Sequence, residues 1–203
     1  MLTNNFSGLK YEAGVDEAGR GSLAGPVAAS SVILPNNFNN FEINDSKKIS
    51  HKKRLYLKKV IEDNAISFSV SFIDELRIDE INILNSTILA MHNSLSALAV
   101  IPDFILVDGN KFKPYKNIPF KCIVKGDQKY QSIAAASILA KIYRDIYMET
   151  IDKEFPKYCW KDNKGYGTLY HISMIKKYGR TKYHRKSFTI KSKQSNFKFE
   201  NEL

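Results

Sequence analysis

The chain has 203 residues, 43% of them hydrophobic and 26% charged, which is the balance of one soluble globular domain with a real core. No apolar stretch reaches the roughly 20 residues that a membrane-spanning helix needs, and the N-terminus has neither the basic region nor the apolar run of a signal peptide. We therefore expect a cytoplasmic protein that makes no membrane contact. Two cysteines are too few for a disulfide framework, so we expect reduced thiols.

The net charge of +10 arises from 31 basic and 21 acidic residues. A surplus of this size favours a polyanionic partner, of which nucleic acid is the commonest. The chain is also rich in lysine, asparagine and isoleucine, a composition that coding bias alone can produce. Charge therefore points toward nucleic acid without identifying it.

Strands and helices alternate in the first third of the chain. Strands are predicted over residues 11–16 and 26–34, and a period-2 alternation of apolar residues predicts a third strand over 65–73. Between the second and third strands, Ser50 can cap a basic helix over about 51–62.

The same alternation continues to the C-terminus. Helices are predicted over about 82–99 and 131–152, and short strands over 104–107 and 120–124. Thr168 then caps a short helix that ends near Tyr178 and Gly179, and residues 192–203 read as a polar tail. We predict an α/β domain in which helices cover the faces of a mixed sheet.

Acidic residues stand where predicted strands end. Asp16 ends the first strand, Asp108 ends the buried strand, and Asp127 follows the last strand. Because sites in such sheets lie at strand ends near a switch in topology, these carboxylates are candidates for one site. Glu17 stands beside Asp16, and two unit charges about 4 Å apart repel by roughly 1 kcal/mol in water and about 4 at an effective dielectric near 20. A hard divalent cation relieves that repulsion and creates a charge centre for phosphate chemistry.

The acidic pair precedes a glycine loop, Gly19-Arg20-Gly21-Ser22-Leu23-Ala24, which formally matches the dinucleotide-binding fingerprint. That fingerprint requires a helix that opens at the loop. Here the following residues favour a strand, and the two carboxylates would face the diphosphate, so we reject a dinucleotide site. Two interpretations stay open: a loop whose backbone N–H groups approach a ligand, and a glycine-rich hairpin with solvated acids.

Two further segments can be interpreted in two ways, and two kinds of catalytic site find no support in the sequence. The segment around Lys47 leads into a basic run, which is either a solvated helix face or a lining for a nucleic-acid backbone. The cysteines, His171 and His184 lack zinc-site spacing, and His171 fits one helix face either as a packed residue or as one that contacts a site residue. Tyr166 stands between two glycines before a helix, as either a turn residue or an aromatic that stacks on a sugar or base. No G-x-S-x-G motif supports serine hydrolase chemistry.

A series of short segments between residues 14 and 188 resembles ribonuclease HII, the bacterial type 2 ribonuclease H. The segments are 14–21, 23–27, 45–48, 107–110, 125–127, 133–141, 144–145, 164–168, 171 and 184–188. The Gly-Arg-Gly loop and the lack of an extra N-terminal domain argue against the sister type, ribonuclease HIII. The chain departs from the family at Gly179-Arg180-Thr181, where members often have Gly-Pro, at a position remote from the carboxylates.

The resemblance implies a ribonuclease H-like mixed sheet flanked by helices, with a small helical C-terminal extension. It divides the chain into a catalytic core over 1–150, a substrate-binding helical part over 151–191 and the tail over 192–203. The implied catalytic and metal-binding carboxylates are Asp16, Glu17, Asp108 and Asp127, with Mg²⁺ or Mn²⁺ as the metal. The implied substrate-binding residues are Gly19, Arg20 and Gly21, which would read a ribose 2′-OH, Tyr166, which would stack on the neighbouring deoxyribose, and Lys47, near the substrate backbone.

The activity implied by the resemblance is endonucleolytic. It comprises hydrolysis of the RNA strand of RNA–DNA hybrids and cutting on the 5′ side of single ribonucleotides in duplex DNA, by a two-metal mechanism that leaves 5′-phosphate and 3′-OH. We expect a monomer whose tail contacts the replication clamp. The residues alone leave two other functions open: a basic module that binds hybrids without cutting them, and another metal nuclease, such as a junction resolvase, that does not require a 2′-OH.

Overall fold

The computed structural model describes residues 2–38, 40, 42–43 and 51–190. Ser50, Lys47 and the tail over 192–203 therefore lie outside the described residues. In the part of the chain that is described, no helix combines the length and the apolar character needed to cross a membrane.

A five-stranded mixed sheet forms the centre of the fold. Its strands are β1 Glu12–Ala18, β2 Val27–Ile33, β3 Ser67–Ile73, β4 Phe104–Asp108 and β5 Phe120–Ile123. The order across the sheet is β3-β2-β1-β4-β5. The first three are antiparallel neighbours, whereas β1, β4 and β5 are parallel. The direction of pairing therefore changes at β1, which is the switch in topology where a site is expected.

Helices cover both faces of this sheet, as predicted. They are α1 His51–Asn64, α2 Glu75–Ser96, α3 Gln131–Asp152, α4 Trp160–Asn163 and α5 Leu169–Tyr178. On one face, α2 packs on the sheet through an apolar cluster that includes Val15 and Met91. On the other face, α1 and α3 bury a second cluster that includes Leu57 and Leu139. Alternation along β1 thus sends Val15 toward α2 and its neighbours toward α3.

A close approach between β1 and α3 brings polar groups of the two elements together. A Cβ atom on Gly14 would lie 2.1 Å from the backbone carbonyl carbon of Ser132, at the start of α3, so only glycine fits this position. The small residues of α3 allow the same proximity farther along, and the hydroxyl of Ser137 hydrogen-bonds to the carboxylate of Asp16. Packing in this layer therefore contributes to the position of one acid of the predicted site.

The predicted helix over 82–99 is the second half of a longer, interrupted helix. The first half begins at Glu75, after Asp74, whose carboxylate accepts a hydrogen bond from the N–H of Arg77 at 2.8 Å. Asn82 then leaves the helical conformation, with φ of 66°, and its side chain accepts from the N–H of Asn85 at 3.1 Å. The sequence prediction found the second start, at Asn82, and missed the first, at Asp74. Each start has its own cap, so the second could be recognised without the first.

The C-terminal part packs on the end of α3 around Trp160. This third apolar cluster joins Met148 and Ile151 of α3 to Trp160, Ile175 and Ala24, the last of which lies in the glycine loop. Thr168 caps α5 as predicted, accepting from the N–H of His171 at 3.2 Å. The proposed division of the chain at residue 150 stays a prediction.

Candidate active site

Three of the four predicted carboxylates line one cavity. Val15 of β1 pairs with Val107 of β4, so Asp16 and Asp108 follow at adjacent positions of parallel neighbours. Asp16, Glu17 and Asp108 all line a cavity of about 440 Å³. The sequence analysis predicted that Asp16 ends the first strand, and this was wrong. The antiparallel pairing of β1 with β2 continues to Ala18. Asp16 stands where the parallel pairing with β4 stops.

Asp127, the fourth predicted carboxylate, is buried beside the cavity but does not line it. It lies in a single turn of 3-10 helix, Gly126–Gln128, that follows β5. The N–H of Gly126 donates to Oδ1 of Asp108 at 2.7 Å, which ties this turn to the end of β4. In the described ranges, no three acidic, histidine or cysteine side chains converge closely enough to enclose a metal ion.

The electrostatics of the acids are those of a site for a cation. Burial raises the pKa of Asp16 well above its ordinary value, and the negative charges of Glu17 and Asp108 raise it further. The Ser137 hydroxyl and the N–H of Glu17, 2.7 Å from Oδ1 of Asp16, favour the charged form and oppose this effect. Carboxylate oxygens are the donors that hard divalent cations prefer, so the donor chemistry fits such an ion.

The predicted glycine loop forms another wall of the cavity. Gly19, Arg20 and Gly21 all line it. Gly19 has φ of +90°, a conformation that favours glycine, and its carbonyl accepts from the hydroxyl of Ser22 at 2.8 Å. The Arg20 guanidinium lies 3.2 Å from the carboxylate of Glu17, so the loop places a cation beside the acids.

Tyr166 lines the same cavity from the C-terminal part of the chain. The residue is 39% exposed, so part of its surface is available to a ligand. The neighbouring Gly165 carbonyl accepts from the N–H groups of Leu23 at 2.7 Å and Ala24 at 3.2 Å. These hydrogen bonds hold the tyrosine segment directly against the glycine loop.

The two histidines belong to a buried hydrogen-bond chain behind Tyr166, which confirms His171 as a packed residue. The N–H of Thr181 donates to Nδ1 of His184 at 2.8 Å, so the proton of His184 is on Nε2 and points at Nε2 of His171, 3.2 Å away. Nε2 of His171 also accepts from the Trp160 indole at 3.0 Å. The remaining proton of His171, on Nδ1, is therefore donated to the carbonyl of Tyr166 at 2.9 Å.

Two buried titratable groups give the stability opposite pH slopes. Burial, with the charges of His171 and Arg180, lowers the pKa of His184 to about 4. The stability contributed by neutral His184 is therefore complete above about pH 6.5, the ordinary histidine pKa, and is lost as the pH falls toward 4. Burial raises the pKa of Glu75 to about 7. The stability contributed by Glu75 changes with pH in the opposite direction. It is complete below about pH 4.5 and is lost as the pH rises toward 7, because the folded state keeps a proton that the unfolded chain releases near pH 4.5.

We expect single substitutions at Glu75 and His184 to change the pH dependence of stability in opposite directions. Glu75→Gln should steepen the rise in the free energy of unfolding between about pH 4.5 and 6.5, and His184→Gln should flatten it, each by roughly 2–3 kcal/mol over that window. Denaturant unfolding at several pH values measures both. Glu80→Gln, which alters an exposed carboxyl on the same helix as Glu75, is the matched control. Parallel profiles for all four proteins would contradict the prediction.

The structure adds site residues that the sequence analysis had not assigned a role. Ser137 and Lys141 of α3 line the cavity, and the Lys141 ammonium lies 2.5 Å from the carboxylate of Asp145. Arg144 and Arg185 reach the glycine loop from behind. The i, i+4 spacing of Ser137 and Lys141, next to the apolar run 133–136, could have revealed the first two. Lys47 lies outside the described residues.

A mixed sheet in this order, flanked by helices and with acids where its parallel strands end, has the ribonuclease H-like fold. Solved structures support this assignment. Ribonuclease H2 from Pyrococcus horikoshii has a TM-score of 0.74 and 25% identity, covering 88% of this chain and 93% of that one. RNase HII of Archaeoglobus fulgidus, solved as a PCNA complex, has a TM-score of 0.73 and 22% identity, covering 91% and 98%, and shows the fold alone.

The sequence comparisons assign the family. The family model for ribonuclease HII matches residues 13–191, and the chain belongs to the ribonuclease HII family. A ribonuclease HII from Christiangramia forsetii is 60% identical over 187 residues, which cover 92% of this chain and 94% of that protein. The resemblance seen in the sequence is confirmed, and the chain is a metal-dependent ribonuclease H, an endonuclease that acts on the RNA of RNA–DNA hybrids.

Proposed function

We propose that the enzyme also cuts duplex DNA on the 5′ side of a single embedded ribonucleotide, and that both reactions use two metal ions and leave 5′-phosphate and 3′-OH. The observation that carries this proposal is the shared cavity. Carboxylates, the glycine loop and an exposed tyrosine face one space from three different parts of the chain. A cavity with such a lining could bind one ribose and hydrolyse the phosphodiester bond next to it.

Asp16, Glu17, Asp108 and Asp127 would hold the ions, which we propose are Mg²⁺ or Mn²⁺. The chemistry that these acids would gain from bound ions is activation of a water and stabilisation of the leaving 3′-oxygen. The protein's contribution is to hold the acids close despite their repulsion. Asp16 is buried and accepts hydrogen bonds from Ser137 and from the N–H of Glu17, so its carboxylate has a fixed direction.

The glycine loop and Tyr166 would select the sugar. The loop of Gly19, Arg20 and Gly21 would hydrogen-bond the 2′-OH through its backbone, and the exposed ring of Tyr166 would stack on the next deoxyribose. A site built to hydrogen-bond a hydroxyl rejects an analogue that lacks it by about 10⁴-fold or more. The loop therefore supports cutting beside an isolated ribonucleotide, where only one 2′-OH is present.

A labelled DNA duplex with one ribonucleotide, compared with its all-DNA twin in Mg²⁺ and in EDTA, tests the proposal. We expect a metal-dependent cut on the 5′ side of the ribonucleotide, with 3′-OH and 5′-phosphate ends, and no cut in the twin. Equal cutting of both duplexes would indicate a general nuclease, as in a junction resolvase. Tight binding without cutting, in any metal, would indicate a module that only binds.

Further proposals concern the oligomeric state, the location and the partners of the chain. We propose that the chain acts as a monomer in the cytoplasm, that Lys47 lies near the substrate backbone, and that the tail over 192–203 contacts the replication clamp. An archaeal RNase HII of the same fold was solved in complex with PCNA, which supports the proposed clamp contact. Pull-down by the clamp of the full chain, and of a chain ending at residue 191, tests the tail.

A further inference from the structure

Two buried arginines hold the glycine loop from the side opposite the cavity. Arg144 on α3 and Arg185, which follows α5, are both 0% exposed, and neither lines the cavity. Burying two cations side by side is costly, and burial together with the charge of Arg144 lowers the pKa of Arg185 to about 9. The hydrogen bonds that each guanidinium donates give the reason that arginine occupies these buried positions.

Arg185 fixes the direction of the peptide groups in the loop. Its guanidinium donates to the carbonyl of Gly19 at 2.8 Å and to the carbonyl of Arg20 at 2.9 Å. It also donates twice to the carbonyl of Gly25, at 2.9 and 2.7 Å. In a trans peptide the N–H points opposite to the C=O. The N–H groups of Arg20 and Gly21 therefore point away from Arg185, and both residues line the cavity whereas Arg185 does not.

Arg144 joins the loop to the tyrosine segment. Its guanidinium donates to the Ser22 hydroxyl at 2.7 Å and to the carbonyls of Ala24 at 3.1 Å and Pro26 at 2.8 Å. The remaining group, Nη1, donates to the carbonyl of Lys164 at 2.9 Å, two residues before Tyr166. The guanidinium carbon also lies 5.6 Å from the centre of the Tyr166 ring. One side chain thus contacts both the glycine loop and the tyrosine segment.

We propose that Arg144 and Arg185 are positioning residues that set the preference of the enzyme for ribose over deoxyribose. Arg185 aims the N–H groups that meet the 2′-OH, and Arg144 keeps the loop and Tyr166 in one fixed arrangement. This inference rests on the proposed function. The planar fork of five donors explains why arginine is needed, since a lysine ammonium cannot serve the same divergent carbonyls.

Arg185→Lys and Arg144→Lys keep the charge and remove the fork. For each we would measure the single-turnover rate on the ribonucleotide duplex, the ratio of its affinity to that of the all-DNA twin, and Mn²⁺ binding to the free enzyme. We expect the affinity ratio to fall about tenfold, as the loss of one well-placed hydrogen bond produces. Mn²⁺ binding should be unchanged. Arg77→Lys, an exposed arginine paired with Glu80, is the matched control and should keep the wild-type ratio.

A purely structural role would lower stability and the fraction of active protein without changing the affinity ratio, and a folded variant with the wild-type ratio would overturn the proposal. If the lysine variants do not fold, Ser22→Ala removes one partner of Arg144 and should shift the ratio in the same direction by a smaller factor; no shift would overturn it equally. Wild-type enzyme that does not cut the ribonucleotide duplex would instead refute the proposed function, whatever the variants do.

Discussion

Asp108→Asn is expected to remove most turnover while leaving the fold and duplex binding intact. Oδ1 of Asp108 accepts the N–H of Gly126 at 2.7 Å, and an asparagine oxygen can accept the same hydrogen bond. What is lost is the negative charge that a divalent ion would bind. Loss of a group that merely orients a metal ligand typically costs roughly 10–100-fold, so loss of a ligand should cost more than about 100-fold in the single-turnover rate.

The opposite end of the same strand provides the control. Asp103 immediately precedes β4 and accepts from the N–H of Tyr11 at 3.0 Å, outside the cavity. Asp103→Asn should keep the wild-type rate. Without metal, Asp108→Asn should unfold at the wild-type temperature or above it, because one of the charges that repel Asp16 is gone. Near wild-type cutting by Asp108→Asn in Mg²⁺ would defeat the assignment of this acid as a metal ligand.

The sheet and most of the acidic site could be predicted because they leave local patterns. A period-2 alternation marked β3, a short apolar run marked β4, and acids near the ends of three predicted strands marked the site edge. Even Asp16, whose strand extends farther than predicted, lies where parallel pairing ends. Strand ends converge by topology, so locating the strands was enough to gather Asp16 and Asp108.

The arginines that hold the glycine loop could not be predicted from a local sequence pattern. Arg144 contacts Pro26 over 118 positions of sequence, and Arg185 contacts Gly19 over 166. Both bond mainly to carbonyls, which every residue has, so no residue type at the other end indicates the contact. Arg180, the departure from the family pattern, behaves in the same way: its guanidinium donates to the carbonyls of Arg185, Lys186 and Phe188. It holds the segment that carries Arg185.

Gly19→Ala should impair cutting far more than its effect on stability would suggest. A Cβ atom at this position would lie 1.9 Å from Nε of Arg144, and that guanidinium cannot swing away without losing its hydrogen bonds to Ser22, Ala24, Pro26 and Lys164. The positive φ adds about 1–2 kcal/mol of strain, and overpacking adds about 1–3. We expect the loop to move, with a loss of more than about 100-fold in the rate on the ribonucleotide duplex.

Gly179→Ala separates the collision from the backbone strain. Gly179 has φ of +81°, close to that of Gly19, but a Cβ atom there would meet nothing within 4 Å. It should therefore lose stability to backbone strain alone and keep the wild-type rate. Denaturant unfolding and single-turnover cutting of both variants give the comparison. If Gly179→Ala lost as much activity as Gly19→Ala, loss of stability would explain both, and the loop would have no special part in reading the sugar.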